Sequence, residues 1–98
     1  EIENLKITVR DLTSEDIEER KLDKDLKGVV ITEISSKSQL AFLLNADDII
    51  VELQNKTVTN VKDLEKISEQ IKKSGDKTLL IRFINRRNQP SYGTVKIK

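Results

Sequence analysis

Asp47 and Asp48 stand side by side, and two neighbouring carboxylates are a first candidate for acid–base catalysis. They lead into an apolar run, Ile49-Ile50-Val51. Neighbours at a strand entry point to opposite faces, so these carboxyls would not share a proton. A turn or capping role is expected instead. Asp23 and Asp25 could offer oxygens to a cation, but two ligands alone make a poor calcium site, and a solvated loop is the better reading. Arg86 and Arg87 near Tyr92 hint at nucleic acid. With three aromatics in the chain, and 18 basic residues against 17 acidic, a hairpin tip is preferred and no nucleic-acid partner is expected.

The chain has no histidine and no cysteine. The commonest general base and the commonest metal ligand are therefore missing. Neither a Ser-His-Asp nor a Cys-His nucleophile system can be assembled, and structural disulfides are ruled out. No catalytic residue, no metal ligand and no cofactor is expected.

Gly28 raises a different chemistry. It lies where a charged stretch, "DKDLKG", meets the apolar run Val29-Val30-Ile31. A glycine there can let the N–H groups of Lys27, Gly28 and Val29 converge on an anion. The strand behind them would then pair with an incoming peptide whose end the loop holds. The plainer alternative is that Gly28 only eases a tight loop-to-strand turn, and on the glycine alone that alternative is preferred.

The 98 residues suit one small domain spanning 1–98, and 36% apolar residues suit one core. No apolar run approaches the roughly 20 residues needed to cross a bilayer, so no membrane insertion is expected. Neither a signal peptide nor a methionine is present, so the chain is expected to be a fragment of a longer protein.

Elements follow from period and punctuation. "LKITV" alternates and reads as a half-buried strand. Thr13 with Asp16 resembles a capping box for a short helix over 14–21, which must dock on something because it is too short to stand alone. "VVITEI" and "IIVEL" read as strands, the second with Ile49, Val51 and Leu53 on one face. "QLAFLL" reads as a helical turn or two, and "QNKT" as a turn. The clearest helix starts at cap Asn60, buries Val61, Leu64, Ile67 and Ile71, and stops at Gly75. "KTLLIRFIN" and "TVKIK" are the last strands. One helix long enough for a crossover does not make regular βαβ units, so a mixed or antiparallel α+β architecture is expected.

The stretches "LKGVVITEI", "SQLAFLLNADDII", "LQNKTVTNVKDLEKI" and "LLIRFINR", in that order, resemble a PDZ domain over nearly the whole chain. The resemblance is strongest to those of Do-like (HtrA/DegP) serine proteases. Ser38, Leu44, Asp48, Ile50, Asn55 and Val58 stand at the matching places. "LKITVRDLT" and "SYGTVKI" look like the second, C-terminal PDZ domain of such proteases. Each motif is loose; their order and spacing are more specific.

The resemblance implies an α+β fold, a PDZ-like partly open β-barrel or sandwich of five to six strands capped by one long and one or two short helices. It implies a carboxylate-binding loop at Leu26, Lys27, Gly28 and Val29. It implies a peptide groove at Val30, Ile31, Thr32, Val61, Glu65 and Ser68, with Ser68 making the pocket shallow. The implied function is a non-catalytic module of a periplasmic serine endopeptidase and chaperone of the trypsin-like kind. Its partners would be apolar C-termini or unfolded segments, and sibling PDZ or protease domains. The alternatives are an assembly or interdomain-docking module, with a homo-oligomer in the full-length protein, or a PDZ domain of another envelope protein such as an intramembrane metalloprotease. Leu40, Ala41, Phe42 and Leu43 depart from the family's small residues. A repacked neighbouring core is preferred there over an exposed Phe42, because so small a core needs most of its apolar residues.

Overall fold

The computed structural model describes residues 2–96. Nine elements follow in order: β1 (Ile7–Asp11), α1 (Ser14–Arg20), β2 (Val29–Ile34), a 3₁₀ turn (Gln39–Phe42), β3 (Ile49–Leu53), β4 (Lys56–Thr57), α2 (Val61–Ser74), β5 (Thr78–Ile84) and β6 (Pro90–Lys96). The strands form one antiparallel sheet in the order β1-β2-β3-β5-β6, with β4 paired to β3. The sheet does not close on itself, so β1 and β6 are its edges. The α+β expectation holds.

Local signals act as their chemistry dictates. Asn60 caps α2 by accepting from the Asp63 N–H at 2.9 Å, and Gly75 ends it at φ 73°, a left-handed conformation that suits glycine. The buried stripe of α2 is Leu64, Ile67 and Ile71, joined by Ser68, with Val61 packed against the core. Thr13 and Asp16 form a complete capping box on α1.

Four expectations are corrected. Leu5 and Lys6 are not in the first strand; they close a turn in which Lys6 takes φ 55°. Ile49, Val51 and Leu53 do not share a face. The register of β3 on β5 shifts between Ile50 and Glu52, so Val51 is an extra residue and Ile50 and Leu53 both reach the core. The final hairpin is longer than expected, with β6 starting at Pro90, and "QNKT" contains a short strand of its own. The last two residues of "TVKIK" lie outside the described residues.

The dock of α1 is polar. None of its residues is fully buried. The Arg20 guanidinium donates to Asn88 Oδ1 (2.9 Å), the Asp47 carbonyl (2.8 Å) and the Asn85 carbonyl (2.9 Å). The Asn88 amide returns a bond to the Arg20 carbonyl at 2.8 Å.

Three carboxylates set the acid response. The Arg10 guanidinium, bonded to Asp16 at 2.7 and 2.9 Å, holds that carboxyl well below the usual range, and Thr13 adds to the effect. The Thr59 hydroxyl and amide lower Asp63. Burial pushes Asp48 up, opposed by the amides of Asn45 and Arg86. A carboxyl with a folded pKa below its unfolded value adds stability above that unfolded value and loses it as pH falls towards the folded one. Asp48 has the opposite sign: its stabilising effect is largest in acid and fades as pH rises through its folded pKa. Asp16 is displaced furthest of the three. The urea midpoint should therefore fall as pH drops below about 4, the ordinary carboxylate range, and Asp16→Asn should flatten that slope. An unchanged slope in the variant would refute the assignment to Asp16.

Candidate peptide-binding groove

The residues expected to dock a peptide do not lie at a free edge. β2 is the second strand of the sheet, with β1 on one side and β3 on the other. Val29, Val30 and Ile31 pair with β1, and the same three residues are hydrogen-bonded or paired towards β3 and the Asp47–Asp48 turn. All three are buried. Thr32 is exposed, but its hydroxyl donates to the Thr8 carbonyl at 3.1 Å. Leu26 is half-buried and Lys27 exposed at the loop before the strand.

Gly28 is buried, and its φ is not left-handed. A Cβ placed on it would lie 2.6 Å from the Ile50 carbonyl oxygen and 3.0 Å from Ile49 Cγ2. The glycine is there because β3 passes too close for any side chain. This corrects the carboxylate-loop assignment of Leu26, Lys27, Gly28 and Val29, and the groove assignment of Val30, Ile31 and Thr32. What the sequence lacked was the strand order, which decides whose edge is open.

On this side of the sheet the edge belongs to β1, and α2 runs antiparallel along it. Two hydrogen bonds tie them: the Asn4 side-chain amide donates to the Ser68 carbonyl at 3.2 Å, and the Val61 N–H donates to Asp11 Oδ1 at 2.8 Å. Of the expected α2 residues, Val61 is half-buried beside the core, Glu65 is exposed, and Ser68 is buried with its hydroxyl bonded to the Glu65 carbonyl at 2.9 Å.

Which backbone groups of β1 are available follows from alternation. The Lys6 carbonyl accepts from Ser35 N–H at 3.0 Å, and Leu12 N–H donates to the Gly28 carbonyl at 3.2 Å, so even-numbered residues turn towards β2. Odd-numbered residues turn the other way, towards α2. Ile7 is engaged there with Ile2. Val9 comes next, and among the described residues its outward amide and carbonyl join no other segment's backbone.

The turn at residues 2–6 sits at one end of this edge. Ser38, itself buried, fixes the turn by donating its hydroxyl to the Leu5 carbonyl at 2.7 Å. Beside it opens a cleft of about 310 Å³ between the turn, the 3₁₀ segment and the second half of α2. Lys6, Lys37 and Lys72 line it together with Asp76, so its rim is mainly cationic. Sequence reasoning missed this turn. The one available signal was Asn4, a residue that favours turns, just before the alternating run.

The other sequence candidates serve local structure. Asp48 is buried and accepts from the Asn45 N–H at 2.8 Å, while Asp47 takes φ 76°. Asp23 Oδ1 accepts from the Asp25 N–H at 3.0 Å, a loop turn. Arg86 and Arg87 lie in the loop between β5 and β6.

Comparison with solved structures decides the architecture. The HtrA-type protease AlgW, with a decapeptide, superposes with a TM-score of 0.71 and 18% identity over 94% of this chain. The HtrA3 PDZ domain bound to a phage-derived ligand, FGRWV, does so with a TM-score of 0.71, 18% identity and 94% of this chain. The fold is that of a PDZ domain. The PDZ chain spans 27% of the AlgW chain and 82% of the HtrA3 one. No family model matches the sequence, and no curated protein matches it.

Proposed function

We propose that this PDZ domain is a non-catalytic peptide-binding module, and that it takes an extended apolar segment as an added strand on β1, under α2. The observation that carries the reading is the outward-turned backbone of Val9 on an open sheet edge with a helix alongside. An added strand gains main-chain hydrogen bonds from such an edge and side-chain selectivity from the groove wall. Val61, Glu65 and Ser68 stand on that wall. Peptides in both solved neighbours support the reading.

Its parent is an HtrA-type, Do-like serine endopeptidase of the periplasm, in which the domain presents unfolded chains to a separate catalytic domain and serves protein quality control. Placement as the C-terminal PDZ domain of that parent rests on the "LKITVRDLT" and "SYGTVKI" segments. A second reading, docking to a sibling domain or a second copy, is favoured by Phe42, which is 99% exposed on the 3₁₀ turn.

Titration of isotope-labelled domain with peptides ending in Val, Leu or Phe tests the first reading. Amide shifts should concentrate on residues 7–11 and 61–72. Absence of shifts at millimolar peptide, with self-association in sedimentation that Phe42→Ser removes, would replace it by the second.

A further inference from the structure

We infer that the groove binds an extended segment without selecting for a free chain end, because the chain's own Ile2 holds the place a terminal residue would take. The inference rests on the groove reading above and narrows its ligand.

The Ile2 carbonyl oxygen accepts from three successive amides: Leu5 at 3.1 Å, Lys6 at 2.8 Å and Ile7 at 3.4 Å. Consecutive amides converging on one point are what a backbone nest offers to an anion such as a terminal carboxylate. Here the point is filled by an oxygen of the same chain. The Ile2 N–H donates to the Ile7 carbonyl at 2.8 Å, making an antiparallel bridge on the outward side of β1. That is the first rung an added strand would use. The Ile2 side chain is 2% exposed and belongs to the core cluster. Nest, rung and apolar socket are therefore all engaged before any ligand arrives.

A peptide laid antiparallel on Val9 reaches Ile7 and meets Ile2 there. It must leave the sheet edge at that point. An internal segment can leave, since its chain continues into solvent. A chain end gains nothing at that point, because the amides that would hold its carboxylate are already bonded.

The test compares one peptide sequence with a free carboxylate and with an amidated end, titrated into the unaltered protein. The two should bind within about twofold of each other, and removal of residues 1–2, which takes away the carbonyl that fills the nest, should shift the preference to the free acid by roughly tenfold. A tenfold preference for the free acid in the unaltered protein would overturn the inference and leave the groove reading standing. So would a domain without residues 1–2 that still binds both ends alike. Failure of every peptide to bind either protein sinks the groove reading and this inference with it. Amide exchange in the peptide-free protein is an independent check. The Lys6 and Ile7 amides should be protected, and exchange at unprotected rates would overturn the inference whatever the peptides do.

Discussion

Gly28→Ala lowers the stability of the domain by about 2–3 kcal/mol, and Gly28→Val by more, as expected for overpacking against atoms that cannot rotate away. The colliding atom is the Cβ that both variants share. It would sit 2.6 Å from the Ile50 carbonyl oxygen, a backbone group of the neighbouring strand, with Val51 Cγ1 at 3.3 Å behind. Relief requires β2 and β3 to part where Val29 pairs with Ile50. Domains of this size hold only about 5–15 kcal/mol in total, so the loss is a large fraction. It corresponds to a fall in melting temperature of roughly 10–20 °C. The alanine variant separates two accounts of the glycine. Because its φ is not left-handed, a role in conformational freedom alone would make alanine nearly harmless. A denaturant midpoint for Gly28→Ala within error of the parent would remove the close-approach account.

Leu40→Ala costs about 3 kcal/mol, within the usual range for a buried leucine, whereas Phe42→Ser two residues away changes stability by less than about 0.5 kcal/mol. Leu40 is 1% exposed and Phe42 is 99% exposed. The 3₁₀ turn Gln39–Phe42 has room to bury one side chain. Ser38 caps it, accepting from the Leu40 N–H at 3.1 Å, and so aims Leu40 inward. The larger, aromatic residue is left outside. The sequence reading preferred a repacked core over an exposed Phe42; that is corrected, since Phe42 is exposed and it is Leu43, next in the chain, that packs partly against the core. Equal midpoints for the two variants would contradict the burial assigned to them.

Features set within a few residues were legible before any coordinates. The caps Thr13, Asn60 and Gly75, and the stripe Leu64, Ile67 and Ile71, depend on local hydrogen bonds and a 3.6-residue period. The bulge at Val51 was not legible, because the alternation Ile49, Val51, Leu53 is satisfactory in itself and only pairing with β5 displaces it. Of the proposed groove, the sequence offered candidates on both walls, and the structure moves those of one wall. Val61, Glu65 and Ser68 were named for it only through the resemblance to PDZ domains; the period of α2 itself marks Leu64, Ile67 and Ile71. The groove's other wall depends on which strand lies outermost, and both "LKITV" and "VVITEI" look like good strands in isolation. Gly28 drew attention to the wrong one, since a glycine before a strand serves equally a nest or a close approach by a distant carbonyl. Nothing in the type of Ile2 marked it as a plug; its role comes from the turn that folds it back on Ile7.

The attachment of α1 through two guanidiniums, Arg20 and Arg10, has a consequence for how the molecule breathes. Lifting that helix away breaks the bonds of Arg20 and Asn88 and the Arg10–Asp16 ion pair, and uncovers only half-buried apolar side chains such as Ile17. Water can replace those partners one for one. The cooperative unit is then the sheet with α2 and the 3₁₀ turn, and the stretch from Thr13 to Lys27 is an appendage that can open and close without melting the rest.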